Sequence, residues 1–354
     1  MRTLLALAMA ASLGSALPLH AATTSPSQPV QIKSEHAAAA STAKAVGRPS
    51  HKTLYVPVEK NVQLEVLDWG GAGPPLIFLA GNGDTAHVFD KLASLFTGKH
   101  HVYGITRRGF GRSGQPAPTA DNYDSDRLGD DVLAVMDALK IVRPVIAGHS
   151  LAGQELSSIG TRHPERVAGL IYLDAAYDYA FYHPGAVNLT VDMSTMRRDL
   201  GQVITAPPSK ARTLIDEMQA LMPQLQKDLQ RYRLEEEERP EPSGPVARTL
   251  DDQVEEAIFT SQRKYGPVKV PVLAIVAVPH ECGGPCDDPR FKDREGAVAA
   301  QTDAFEAATP SARVVRIPYA NHYVFMSNRD QVVREMNAFL DAPRGRSVPD
   351  DERP

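Results

Sequence analysis

Two cysteines and a single tryptophan in 354 residues set the first limits on this chain. So few cysteines exclude a small domain stapled by several disulfides, and they exclude a four-cysteine zinc module. A basic excess is missing as well: 38 Lys and Arg stand against 43 Asp and Glu, a net charge of −5. A mildly acidic chain without a basic block lacks the electrostatic footprint of a nucleic-acid binder. After the first twenty residues no apolar run has the length, ~20 residues, that spans a bilayer. What is present is ordinary globular composition, 42 % hydrophobic and 23 % charged.

The N-terminus reads as an address, not as fold. Arg2 supplies one positive charge, Leu4 to Leu19 is almost wholly apolar, and His20-Ala21-Ala22 offers small residues for cleavage. That layout predicts a secretory signal peptide over residues 1–22, an exported (periplasmic or secreted) protein, and no membrane span once the signal is cleaved. No cysteine stands near the cleavage point to carry a lipid anchor. Residues 23–52 are Ala, Ser, Thr, Pro and Lys with few large apolar side chains. Such a stretch cannot bury enough surface to offset its ordering entropy and is expected to be a disordered linker. The charged, Pro-rich residues 343–354 are expected to form a flexible tail.

Between these ends, strand and helix patterns alternate. Leu54–Val58 and Val62–Leu67 read as strands. Leu76–Leu79, Pro144–Ala147, Val167–Leu173 and Val270–Val278 are apolar runs that suit buried parallel strands. Val88–Phe96, Leu128–Leu139, Leu151–Arg162, Arg294–Ala308 and Gln331–Leu340 carry helical spacing. Such alternation predicts an α/β fold with helices on both faces of a mostly parallel sheet, over residues 53–175 and 267–342. Residues 176–266 break the alternation. There Leu214, Ile215, Met218, Leu221, Met222, Leu225 and Leu229 share one helical face, interrupted by Pro223, where a kink or two successive helices are expected. This segment reads as a helical insertion after the sixth strand.

Gly148-His149-Ser150-Leu151-Ala152 lies between a predicted strand and a predicted helix. A Ser on a tight strand-to-helix turn, flanked by small residues, is the layout of a nucleophile elbow. The strained turn lifts the hydroxyl above the sheet, and the helix N-terminus behind it favours negative charge. Acyl transfer also needs two preorganised donors for the oxyanion. The Leu151 N–H, just after the nucleophile, is one candidate. The Asn82 N–H, in the turn Gly81-Asn82-Gly83, is the other. Gly81, in that turn, and His149, just before the serine, are assigned to substrate binding. His322 stands in a loop before the last helix, placed to reach over the sheet edge to Ser150.

With these residues in hand, the sequence resembles the α/β-hydrolase superfamily, the serine-nucleophile branch with a helical cap. Leu79-Ala80-Gly81-Asn82-Gly83 matches its oxyanion loop. Arg108-Gly109-Phe110-Gly111-Arg112-Ser113 matches its turn after the fourth strand, with Thr106 where an Asp is usual. Ala320-Asn321-His322 matches its histidine loop. The resemblance implies a Ser-His-acid triad of Ser150, His322 and a carboxylate. The usual place for that acid, just after the seventh strand, reads Pro279-His280-Glu281-Cys282 and holds no Asp. Two candidates remain: Asp174, at the carboxyl end of the sixth strand, preferred, and Glu281. Cys282 and Cys286, separated by Gly283-Gly284-Pro285, are expected to form a disulfide in an exported protein.

The resulting expectation is an exported serine hydrolase. It would cleave an ester or related acyl bond of a small, partly apolar substrate through an acyl-enzyme, with no cofactor and no metal. Its partner would be the small-molecule substrate, with no nucleic acid. The alternatives are a ligand-binding protein of the same fold, or a carbon–carbon hydrolase or lyase.

Overall fold

The computed structural model describes residues 51–184, 188–237, 244 and 247–342. The predicted signal peptide, the predicted tail and all but the last two residues of the predicted linker lie outside the described residues.

Eight strands form one sheet in the order β1-β2-β4-β3-β5-β6-β7-β8. They are β1 (Lys52–Glu59), β2 (Val62–Gly70), β3 (Pro75–Leu79), β4 (His101–Ile105), β5 (Val145–His149), β6 (Gly169–Leu173), β7 (Val272–Ala277) and β8 (Ala312–Ile317). The β1/β2 and β2/β4 pairs are antiparallel, and every pair from β4 through β8 is parallel. Every residue of β5, β6 and β7 is buried. That is why these strands read as continuous apolar runs: helices cover both faces of a parallel sheet.

The helices are α1 (Asp90–Ala93), α2 (Ala120–Tyr123), α3 (Ser125–Ala138), α4 (Gly153–Arg162), α5 (Leu189–Thr205), α6 (Pro208–Glu237), α7 (Leu250–Phe259), α8 (Pro289–Ala308), α9 (Val324–Ser327) and α10 (Arg329–Asp341). Leu128, Val132 and Met136 of α3, Leu156 and Ile159 of α4 and Phe305 of α8 pack into one core layer. Phe89, Leu92, Phe325, Val332 and Met336 build the layer on the opposite face. The lone tryptophan, Trp69, packs across Gly104 of β4, where a Cβ would sit 2.6 Å from its ring.

Several boundaries differ from the sequence expectation. β1 begins at Lys52, so the sheet takes in residues assigned to the linker. The 88–96 helix is a 3-10 turn, Ala86–Phe89, followed by the short α1. α8 starts at Pro289 because Asp288 accepts a hydrogen bond from Arg290 N and proline suits the first turn. The insertion holds α5, α6 and α7. α6 passes through Pro223 as one helix rather than two. Its apolar stripe is only partly covered: Leu214 and Leu225 are buried, while Ile215, Met222 and Leu229 are exposed.

The turn after β4 is fixed by buried polar contacts. Arg108, with no exposed surface, places Nε and Nη2 each 2.6 Å from a different oxygen of Asp131 on α3. Thr106 donates to Glu65 Oε2 (2.9 Å) and accepts from Ala86 N (3.0 Å); a hydroxyl fills both roles, whereas an ionised Asp could only accept. Removing one partner of a buried pair leaves the other charge uncompensated. Asp131→Ala should therefore lower unfolding stability by about 3–5 kcal/mol, read from the midpoint of urea denaturation at pH 7.

Candidate active site

β5 ends at His149, and Ser150 takes a left-handed backbone with φ 51° before the 3-10 turn Ser150–Ala152 and α4. A non-glycine residue at positive φ is strained, and the tight turn holds it there. Close packing fixes the turn from two sides. A Cβ on Gly153 would lie 2.0 Å from the Ala175 carbonyl oxygen. A Cβ on Gly81 would lie 2.9 Å from His149 Nδ1 and 3.1 Å from Ser150 Cβ. The first N–H groups of a helical turn have no acceptor within the helix, and Leu151 N–H is one of them.

His322 sits between β8 and α9. Its Nδ1 lies 2.6 Å from Asp174 Oδ2. Asp174 directly follows β6, has φ 46°, and has no exposed surface. Its backbone N–H donates to Ile275 O (2.7 Å), and its Oδ1 accepts from Ala277 N (2.9 Å), both on β7. Glu281, the other sequence candidate, is exposed and hydrogen-bonds to the Asn321 side chain. It makes no contact with the His322 ring among those described.

Asp174 Oδ2 also receives Tyr177 Oη (2.9 Å) and His280 Nε2 (2.9 Å). The other nitrogen of that ring, His280 Nδ1, lies 2.9 Å from Glu295 Oε2, which accepts from His280 N at 2.8 Å as well. Burial alone pushes the Asp174 carboxyl up. Hydrogen bonds and charge from His280 and His322 overturn that and hold it well below the usual carboxylate range. Burial pulls His280 down, yet Asp174 and Glu295 together push it up to about 9.

His149, assigned to the substrate side, is 1 % exposed. Its ring packs on His322 (4.6 Å between centroids), Tyr323 (4.6 Å) and Phe325 (5.1 Å), and its Nε2 faces His322 O at 3.2 Å. Burial and the neighbouring His322 push it down to about 3, so it is a neutral support beneath His322 rather than a residue presented to a ligand. Asn82 meets the Glu255 carboxyl of α7. The buried Tyr179 hydroxyl faces the Ser150 side chain without an aligned hydrogen bond. Thus the groups that the segment between β6 and β7 brings to Ser150 and Asn82 are Tyr179 and Glu255. The Leu and Met stripe of α6 is divided: Leu214 and Leu225 are buried, Met218 and Leu221 half-buried, and Met222 and Leu229 exposed.

The family model for the alpha/beta hydrolase fold matches residues 74–329. The chain belongs to the α/β-hydrolase family. Over shorter stretches this α/β-hydrolase is similar to a fluoroacetate dehalogenase of a Burkholderia species, 30 % identical over 115 residues, 32 % of this chain and 38 % of that protein. It is also similar to a bifunctional esterase/perhydrolase of Acinetobacter calcoaceticus, 32 % identical over 124 residues, 34 % of this chain and 44 % of that protein. The matches span less than half the length of these relatives. A solved E-2-(acetamidomethylene)succinate hydrolase shares the fold, with a TM-score of 0.51 and 19 % identity over 82 % of this chain and 100 % of its own.

Among the described residues, two groups bring three possible metal ligands within 4.8 Å of one another: His51, His87 and Asp90, and Asp174, His280 and His322. In the second group both imidazoles approach the same carboxylate oxygen at 2.6 and 2.9 Å. Those are hydrogen-bond separations, shorter than the ~3.3 Å between ligands of a tetrahedral ion with ~2.0 Å bonds. Sequence reasoning missed His280, Glu295, Tyr177, Tyr179 and Glu255. A signal existed for His280, which stands directly after β7 where the family acid is usual. None existed for Glu295, fifteen residues further on.

The raised His280 has a consequence for folding. Its partners favour the charged ring, so the contribution is complete below the ordinary value of 6.5 and is lost as pH rises through about 9. The difference in urea midpoint between wild type and His280→Gln should be largest near pH 6 and should shrink as pH approaches about 10.

Proposed function

We propose that the protein is an exported serine hydrolase acting on an ester or related acyl bond of a small molecule. The observation that carries this reading is a serine, not a carboxylate, on the strained turn after β5. Serine attack on an acyl carbon gives an ester that water can cleave. Attack on an alkyl or epoxide carbon would give an ether that water does not release. The dehalogenase named among the relatives therefore does not carry over to this chain, whereas the esterase does.

In this mechanism Ser150 Oγ attacks the carbonyl carbon while His322 takes its proton. Asp174, at Nδ1 of the same ring, orients His322 and stabilises its charged form. The N–H groups of Leu151 and Asn82 receive the oxyanion. His322 then protonates the leaving group, and water attacks the acyl-enzyme with His322 as base. Export is supported by the apolar Leu4–Leu19 stretch and by Cys282 and Cys286, which lie at disulfide-bonding distance with Cα atoms 5.3 Å apart.

Ser150→Ala should abolish both p-nitrophenyl acetate hydrolysis and labelling by a fluorophosphonate. Asp174→Asn should lower kcat by about 10²–10⁴, and Glu281→Gln should stay within about twofold of wild type, since its carboxylate bonds to Asn321. A folded wild-type protein that takes no fluorophosphonate would favour a binding protein instead. Thiol titration of the unfolded, unreduced mature protein should find no free thiol, and two after reduction.

A further inference from the structure

Two carboxylates, one on each ring nitrogen, set the charge of His280. Its Nε2 faces Asp174 Oδ2 and its Nδ1 faces Glu295 Oε2, each at 2.9 Å. An ionised carboxylate only accepts, so both ring nitrogens must carry hydrogen, and the ring is an imidazolium. Tyr177 Oη lies 3.2 Å from the same Nε2 and donates to Asp174 Oδ2, which leaves that nitrogen in the donor role. Glu295 is itself held ionised: burial would push it up, but His280 and Arg294 Nε (3.2 Å from Oε1) hold it below its ordinary value.

We infer that His280, held by Glu295, is a positioning residue of the proposed triad that sets the acid limb of its activity. The inference rests on the triad reading given above. The backbone delivers the arrangement: His280 forms an isolated parallel bridge with Ala320, two residues before His322, so both rings arrive at one oxygen of Asp174. The charged and titratable groups facing His280 are Asp174 after β6, Tyr177 beyond it, Glu295 and its partner Arg294 on α8, and His322, whose ring centroid is 6.3 Å away.

The arrangement does two things. It puts a second ring donor on the same Asp174 oxygen that meets His322, which restrains the carboxylate while His322 gains and loses its proton. It also places a positive charge, at neutral pH, next to the ring that must become positive in the transition state. Two cations on one carboxylate repel, and the arrangement meets that repulsion each time His322 takes up a proton. Glu295, on the other ring nitrogen, is what keeps His280 in its charged form. The chain Glu295–His280–Asp174–His322 thus alternates carboxylate and imidazole.

The test compares kcat/KM against pH for p-nitrophenyl acetate in wild type, His280→Gln and Glu295→Gln, with Ser150→Ala as the blank. Removal of the His280 charge should move the acid limb to higher pH by roughly one unit, so that activity near pH 6 falls about tenfold more than activity near pH 8.5. Glu295→Gln should move it in the same direction by less. A uniform loss at every pH, with the limb unmoved, would show a merely structural role and overturn the inference. A wild type without serine-dependent turnover or fluorophosphonate labelling would instead overturn the triad reading. Should His280→Gln fail to fold, imidazole NMR of the wild type decides. The inference expects both His280 ring N–H protons at pH 7.5, and a neutral His280 there would refute it.

Discussion

A carboxylate with no access to water has to be satisfied by the protein on every side. Asp174 is that group, and much of the architecture around the elbow answers its demand. A buried charge left unpaired costs several kcal/mol, so each donor must be delivered with small positional error. The sheet does this through register. Leu173 pairs with Ile275, which sets Asp174 beside the end of β7 and the Ala277 N–H. Ala277 pairs with Ile317, and the bridge from His280 to Ala320 continues the same alignment to the loop of His322. Three parallel strands therefore converge on one side chain, at the carboxyl end of the sheet where open α/β folds collect their sites.

The loop that carries Asn82 and the turn that carries Ser150 are tied together by a second buried pair. Arg107 donates to Glu155 on α4 and to the carbonyl oxygens of Ala80 (2.8 Å) and Gly81 (3.1 Å). With those two carbonyls engaged, the chain at Gly81 is fixed against the turn that carries Ser150. The same helix α4 that follows the serine thus also anchors the loop that carries Asn82. Neighbouring carboxyls sit in poorly hydrated places. Asp84 is pushed up by burial, against the opposing hydrogen bond from Tyr323 (3.0 Å). Glu255 is pushed up by burial, against its contact with Asn82.

The parts of this molecule that were legible in the sequence are those where one local rule decides the outcome. Buried parallel strands must be apolar on both faces, so β3, β5, β6 and β7 could be read directly. A serine on a tight turn between strand and helix carries its own spacing, as does the Arg108–Ser113 turn. Asp174 was legible as a strand-end carboxylate, but its advantage over Glu281 became visible only through geometry: one side chain reaches His322, the other reaches Asn321. The stripe on α6 was legible only as a stripe, because helical spacing records that a face is apolar, not what covers it. His280 and Glu295 were hidden for a related reason. Their pairing is made by α8 folding back over the loop after β7, and no periodicity in the chain encodes that return.

The four residues of the alternating chain are 174, 280, 295 and 322, and the bond from Asp174 to His322 spans 148 positions. None of its members can be satisfied by local structure. Long-range contacts of this kind form late, because the chain must close large loops before they are rewarded. During synthesis, β5, β6 and the serine turn emerge well before the histidine loop, and α5 to α7 emerge in between. Asp174 must therefore wait in partly folded states with its carboxylate hydrated, and it becomes a dry charge only when β7 and β8 dock. The contact between Asp174 and His322 is in this way among the last that synthesis makes possible, and until then the turn that carries Ser150 stands without the histidine loop beside it.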